Sequence, residues 1–129
     1  MKLLILGLGQ DAKLLAIACK SLDVEFFIVT RHSKHAAEFI AKHAVPTDRV
    51  RIVDSITERL LKEVRDEFNF SCIVNTIANS FVHISGSSYW DYLKSNTMLL
   101  CDLISFCEMN HSTTLVHFLS AEIYNSNYE

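Results

Sequence analysis

Three glycines and one proline in 129 residues leave almost nothing from which to build a linker, and two of those glycines fall within the first nine positions. No repeat, low-complexity stretch or shift in composition divides the chain. A single domain over 1–129 is expected, with half its residues apolar and enough of them to form a core. Basic excess is missing too. The net charge is −3, with no basic run and no basic–aromatic interleaving, which argues against a nucleic-acid partner. No apolar run is long enough to span a bilayer, and the first such run stops at Gly7, too soon for a signal peptide. A cytoplasmic protein with no membrane partner is expected. Cys19, Cys72, Cys101 and Cys107 form no Cys-x-x-Cys pair, and three of them lie in apolar periodic stretches, the pattern of reduced, buried thiols. His32, His35 and His43 share one helical segment with no carboxylate or thiol at ligand spacing, so no metal is expected. His111 and His117 read as a helix-end residue and a strand residue.

What is present begins at once. Leu3-Leu4-Ile5-Leu6 is an unbroken apolar run, as a parallel strand buried on both faces requires. Gly7-Leu8-Gly9-Gln10-Asp11-Ala12 follows, and Leu14, Leu15, Ile17 and Ala18 then recur at helical spacing. Gly-x-Gly-x-x-Ala between a strand and a helix is the setting of a dinucleotide fingerprint. Gly7 can make the tight turn, Gly9 admits a pyrophosphate against the backbone, and Ala12 lets helix and strand approach. The bland alternative is a strand-to-helix turn that holds no ligand.

The rest of the chain alternates. Strands are expected at Val24–Val29, Val50–Val53, Cys72–Ile77 and Thr114–Leu119. Helices are expected at Ser33–Ala44, with Ala36, Ala37, Ile40 and Ala41 inward, and at Thr57–Phe68, with Leu60, Leu61, Val64 and Phe68 inward. A long helix is expected over Tyr89–Met109. Alternating β and α elements with short links give an α/β, doubly wound, Rossmann-type parallel sheet of five strands in order 3-2-1-4-5. Its ligand crevice lies at the carboxyl ends of strands one and four.

The end of strand two bears on the cofactor. An acidic residue there normally accepts the ribose hydroxyls of NAD, but this chain has Thr30-Arg31-His32-Ser33. Arg31 can pair with a 2′-phosphate and Ser33 can donate a second bond, which favours NADP over NAD. Asp54, at the end of strand three, either faces the adenine or caps the following helix, with Ser55 as its competitor.

Five stretches together resemble the extended short-chain dehydrogenase/reductases, the NAD-dependent epimerase/dehydratase family, and within it the GDP-mannose 4,6-dehydratases. Gly9-Gln10-Asp11 is similar to their Gly-Gln-Asp-Gly loop, and Arg31-His32-Ser33 to their Arg-Arg-Ser. Asn75-Thr76-Ile77-Ala78-Asn79-Ser80-Phe81-Val82 is similar to Asn-Leu-Ala-Ala-Gln-Ser-His-Val. Tyr89 to Asn96 looks like the start of their long interface helix, and Leu119-Ser120-Ala121-Glu122-Ile123-Tyr124 is similar to Ser-Thr-Ser-Glu-Leu-Tyr.

The resemblance implies roles by position. Gly7, Gly9, Gln10 and Asp11 line the pyrophosphate, Arg31 the 2′-phosphate, and Asp54 with Ser55 the adenine. Thr76, Ile77 and Ala78 lie under the nicotinamide half, and Ser80 near a sugar-nucleotide substrate. Ser120 is the hydroxyl that hydrogen-bonds the sugar's reacting oxygen, and Glu122 the general base. There are departures. The glycine loop is one residue shorter than the family's, Ala12 replaces its last glycine, Phe81 replaces a histidine, and Leu99-Leu100 stand in place of Gly-Thr. The family's Tyr-x-x-x-Lys pair has no counterpart, since Tyr89, Tyr92, Tyr124 and Tyr128 all lack a lysine four residues on. A domain truncated to the cofactor-binding part of such an enzyme, catalytically incomplete alone, is therefore expected. Its contacts with a second copy or a partner chain are expected through the helix 89–109 and the edge of strand 114–119. The alternatives are a non-catalytic interaction module on the same fold, or one half of a split enzyme.

Overall fold

The computed structural model describes residues 1–77 and 93–118, the side chains of 94 and 95 aside. Five strands, β1 (Lys2–Leu6), β2 (Glu25–Thr30), β3 (Val50–Ile52), β4 (Cys72–Asn75) and β5 (Thr114–His117), form one sheet in the order β3-β2-β1-β4-β5. Every pairing is parallel. That is the expected Rossmann-type architecture and strand order.

The two faces of the sheet make two cores. In β1, Leu3 and Ile5 point into one cluster and Leu4 and Leu6 into the other, so the strand must be apolar at every position. Helices α1 (Gln10–Ser21) and α2 (Ser33–His43) cover the first face through Ala12, Ala16, Ala36 and Phe39. Helices α3 (Glu58–Phe68) and α4 (Leu99–Met109) cover the second through Leu61, Val64, Leu103 and Phe106. Right-handed crossovers require this split. The chain moves outward from β1 to β3 and then returns past β1 to β4 on the opposite side.

Several expectations need correction. In α2 the inward stripe is Ala36, Phe39 and Ile40, while Ala37 and Ala41 are exposed. Phe39 has the larger apolar surface to bury, and its ring lies 4.9 Å from that of His43 one turn on, so the helix rolls toward that side. Neither Asp54 nor Ser55 caps α3. The N-cap is Thr57, whose hydroxyl accepts the Leu60 N–H at 3.2 Å, and Glu58 follows in the first turn. Strands β4 and β5 end at Asn75 and His117, earlier than expected. The long helix is not uniformly α: Lys94–Met98 winds as a π turn before α4 begins. Its expected first residues, Tyr89 and Trp90, lie outside the described residues, and Leu93 is half-buried. Of the thiols, Cys19 and Cys72 are buried, Cys107 is partly so and Cys101 is exposed; all four are free.

Candidate functional site

Hydrogen bonds between strand exits draw the carboxyl ends of all five strands into one rim. The Val53 N–H reaches the Thr30 carbonyl at 2.9 Å, Gly7 reaches Val29 at 2.8 Å, Thr76 reaches Leu6 at 3.0 Å, and Phe118 reaches Asn75 at 3.0 Å. Along that rim stand Asp54 and Ser55 after β3, Arg31 and Ser33 after β2, Gly7 to Asp11 after β1, and Thr76 and Ile77 after β4. Residues more than forty positions apart in sequence are thus neighbours at one sheet end. Ala78, Ser80, Ser120 and Glu122 lie outside the described residues.

The glycine loop is shaped from both sides. Gly7 has φ +99°, a region that L side chains rarely adopt. A Cβ there would lie 2.8 Å from Thr76 Oγ1 and 3.1 Å from Ile77 Cγ1. Thr76 is held in that place, since its hydroxyl donates to the Leu6 carbonyl at 2.8 Å. Leu8 turns inward and is buried, anchoring the loop in the core. Gly9 is different. Its backbone is extended (φ −72°, ψ −172°), and a Cβ there would meet nothing within 4 Å. The space in front of Gly9 is open on the side where α1 begins.

Gly9 is the N-cap of α1 and supplies no side-chain cap to the first turn. The first N–H groups of that helix have no intrahelical partner and point toward this space, an arrangement that accepts an anion. Gln10 and Asp11 are exposed beside it. The loop is therefore shaped to admit a pyrophosphate: one glycine is required by the fold, and the other leaves the approach clear.

At the exit of β2, Thr30 is fully buried and its hydroxyl accepts the His32 N–H at 3.2 Å, which turns the chain into α2. Arg31 and Ser33 are exposed. No ion pair among the described residues engages Arg31, and no acidic residue stands in the first turn of α2. Asp54 and Ser55 are exposed too, free of the capping role that falls to Thr57.

Polar groups inside the rim were not all foreseen. Asn75 is 1% exposed. Its amide oxygen accepts the Ile77 N–H at 3.1 Å, and its Nδ2 lies 3.0 Å from His117 Nδ1. The signal was a polar residue closing an otherwise apolar buried run. Burial lowers the His117 pKa from 6.5 and raises those of the Cys19, Cys72 and Cys107 thiols, so these cysteines stay protonated and unreactive. His32 and His35 stack at 5.4 Å on the surface, and no metal-binding group of three occurs among the described residues. A cavity of about 300 Å³ opens at the opposite rim, lined by Lys20, Glu25, Pro46 and Arg49 among others. It is separate from the crevice. No helix among the described residues is long and apolar enough to cross a membrane.

Comparison with known proteins agrees with this geometry. The model of the NAD dependent epimerase/dehydratase family matches residues 3–129. No curated protein matches the sequence. Among solved structures, a UDP-glucose 4-epimerase from Stenotrophomonas maltophila, with bound NAD and formylated UDP-arabinopyranose, is similar over 100% of this chain, with TM-score 0.81 and 15% identity. A UDP-glucose 4-epimerase from Thermus thermophilus in complex with NAD is similar over 89% of the chain (TM-score 0.70, 15% identity). A short chain dehydrogenase from Bacillus anthracis is similar over 97% (TM-score 0.73, 10% identity). The chain spans 40% and 36% of the two epimerases and 57% of the dehydrogenase.

Proposed function

The chain belongs to the NAD dependent epimerase/dehydratase family, and on that premise we propose that it is a dinucleotide-binding domain whose cofactor is NADP. The observation that carries this is the glycine loop, in which Gly7 is required by its φ of +99° and by Thr76 while the space before Gly9 stays open. The pyrophosphate lies against Gly9, Gln10 and Asp11 at the start of α1, and the adenine lies near Asp54 and Ser55. Arg31 meets the 2′-phosphate with Ser33 beside it. Two features support NADP over NAD: no carboxylate closes β2, and no ion pair among the described residues occupies Arg31. The two epimerases described above bind NAD, so cofactor choice is the first thing to measure.

The nicotinamide half rests on Thr76, Ile77 and Ala78. Such a cofactor supplies reversible hydride transfer when bound. The segment similarity to the GDP-mannose 4,6-dehydratases supports a sugar nucleotide as substrate, with Ser80 near it. Ser120 then hydrogen-bonds the sugar's reacting oxygen, and Glu122 takes the proton in the elimination of water. None of the four tyrosines is followed four residues later by a lysine, so these 129 residues do not complete that reaction by themselves. A separate chain carrying the missing pair is one solution. An interaction module is another reading, supported by the exposed apolar residues Val116 and Phe118, on and just beyond β5 at the edge of the described sheet.

Calorimetric titration with NADP⁺, NAD⁺ and 2′,5′-ADP tests the cofactor proposal, with Arg31→Ala as control. The variant is expected to lose about tenfold or more in NADP⁺ affinity, the worth of one charge-assisted hydrogen bond, and to leave NAD⁺ little changed. No binding of any of the three at millimolar concentration would overturn the cofactor proposal.

A further inference from the structure

Asn75 and His117 face each other across the β4–β5 pairing, and the bond between them settles a protonation state. Asn75 Oδ1 accepts the backbone N–H of Ile77 at 3.1 Å. A backbone N–H can only donate, which fixes that end of the amide as oxygen. The other end, Nδ2, is therefore the donor that lies 3.0 Å from His117 Nδ1. Nδ1 must accept, so His117 is the neutral imidazole with its proton on Nε2. Between the two residues bonded in that turn, Asn75 and Ile77, sits Thr76, whose hydroxyl hangs from the Leu6 carbonyl and fills the place of a Gly7 Cβ. One side chain on β5 is thus linked, through a buried amide, to the floor of the glycine loop.

We propose that His117 is a positioning residue for the crevice: neutral, it holds the 75–77 turn beneath the glycine loop, and protonated, it releases that turn. A proton on Nδ1 would confront the Nδ2 donor. Flipping the amide does not help, because Nδ2 would then confront the Ile77 N–H. Either way one of two partly buried hydrogen bonds is lost.

Among the described residues, charged groups nearby do not offset this. On β4 the ionisable neighbour is Cys72, which pairs with Thr114 at the other end of the strands. On α4, Cys107 lies toward that same end, within the influence of Cys72 and of Arg65 from α3, and Arg65 itself is bonded to Ser112 and Thr113. Cys101, Asp102 and Glu108 of α4 are exposed. No ion pair to the His117 ring occurs among the described residues, and burial alone lowers its pKa.

The test uses the full ¹⁵N-labelled chain. Long-range ¹H–¹⁵N correlation reads the His117 tautomer, and a pH titration follows the Thr76 and Ile77 amides. His117→Asn is the comparison, since its Oδ1 takes the position of the ring Nδ1 and has no proton to gain in this pH range. The Nε2–H tautomer is expected at neutral pH, with both amides moving in step with His117 in the wild type and staying flat in the variant. An Nδ1–H tautomer, or an Ile77 amide indifferent to the His117 titration, overturns the proposal. Both are read on the wild-type chain and do not depend on the variant folding. NADP⁺ affinity, which rests on the function proposed above, is expected to fall several-fold on acidification in the wild type relative to the variant. Taking the ratio cancels the titration of the 2′-phosphate and of every group common to the two proteins. Binding with the same pH profile in both proteins overturns the positioning role. Amide coupling without any NADP⁺ binding supports the His117 link and overturns the cofactor reading alone.

Discussion

Gly7 and Thr76 meet across the ends of β1 and β4 with no room for a β-carbon between them: the Thr76 hydroxyl oxygen lies 2.8 Å from the point where that carbon would be. The threonine cannot withdraw without giving up its 2.8 Å bond to the Leu6 carbonyl. Gly7→Ala therefore combines a strained φ with a steric conflict, and the strain alone is expected to cost about 1–3 kcal/mol. Gly9→Ala meets open space in an extended backbone and is expected to cost less than about 1 kcal/mol as a poorer N-cap. Denaturant melts of the two variants check the contrast. The function proposed above adds that Gly9→Ala, though folded, binds dinucleotide more weakly because its methyl occupies the pyrophosphate approach.

Ala44 closes α2 in the left-handed region, with φ +49° and ψ +47°, while Lys20 Nζ bonds the carbonyls of His43 and Ala44 at 2.7 and 3.2 Å. An L side chain in that conformation costs about 1 kcal/mol or more, which glycine avoids. Part of the gain is lost to the greater freedom of glycine in the unfolded chain. Ala44→Gly is expected to stabilise by roughly 0.5–1 kcal/mol, read as a higher denaturation midpoint at unchanged slope.

Thr57 caps α3, so Thr57→Ala is expected to destabilise by about 1 kcal/mol, whereas Asp54→Ala and Ser55→Ala are expected to be near neutral. Chemical denaturation of the three variants distinguishes them. A loss at Asp54 equal to that at Thr57 would contradict the observed cap.

The course of this chain was legible where burial is total. Parallel strands covered on both faces must be apolar throughout, which is why Leu3 to Leu6 announces β1. The glycine turn was legible because φ +99° at Gly7 excludes nearly every other residue. Helix faces were less so. Ala36 and Ala37 look alike in a pattern, and only the bulk of Phe39 and its contact with His43 decide which one turns inward. The cap at Thr57 was hidden because Asp54 and Ser55, just before it, are residue types that cap equally well. The Asn75–His117 bond joins residues 42 apart and exists only once β4 and β5 are in register, so neither residue signals it alone.

His117 also sets an acid limit on stability. Burial lowers its folded pKa from 6.5, so well above about pH 6.5 both folded and unfolded chains hold it neutral, and its contribution is complete. As pH falls, the unfolded chain takes up the proton first, and stability is lost until the pH passes the folded pKa. Wild-type stability is expected to drop between pH 7 and pH 5 by more than that of His117→Asn, measured by urea melts at each pH. Equal slopes would contradict the sign.

The central claim is that a dinucleotide lies along the rim formed by the exits of β1, β2 and β4. Amide chemical-shift mapping of the ¹⁵N-labelled chain on addition of NADP⁺ tests it most directly. The account predicts saturable shifts at Gly7 to Ala12, Arg31 to Ser33 and Thr76 to Ile77, and none around Lys20, Glu25 and Arg49 at the opposite rim. Shifts confined to that opposite rim, or no saturable shift at millimolar NADP⁺, would contradict it.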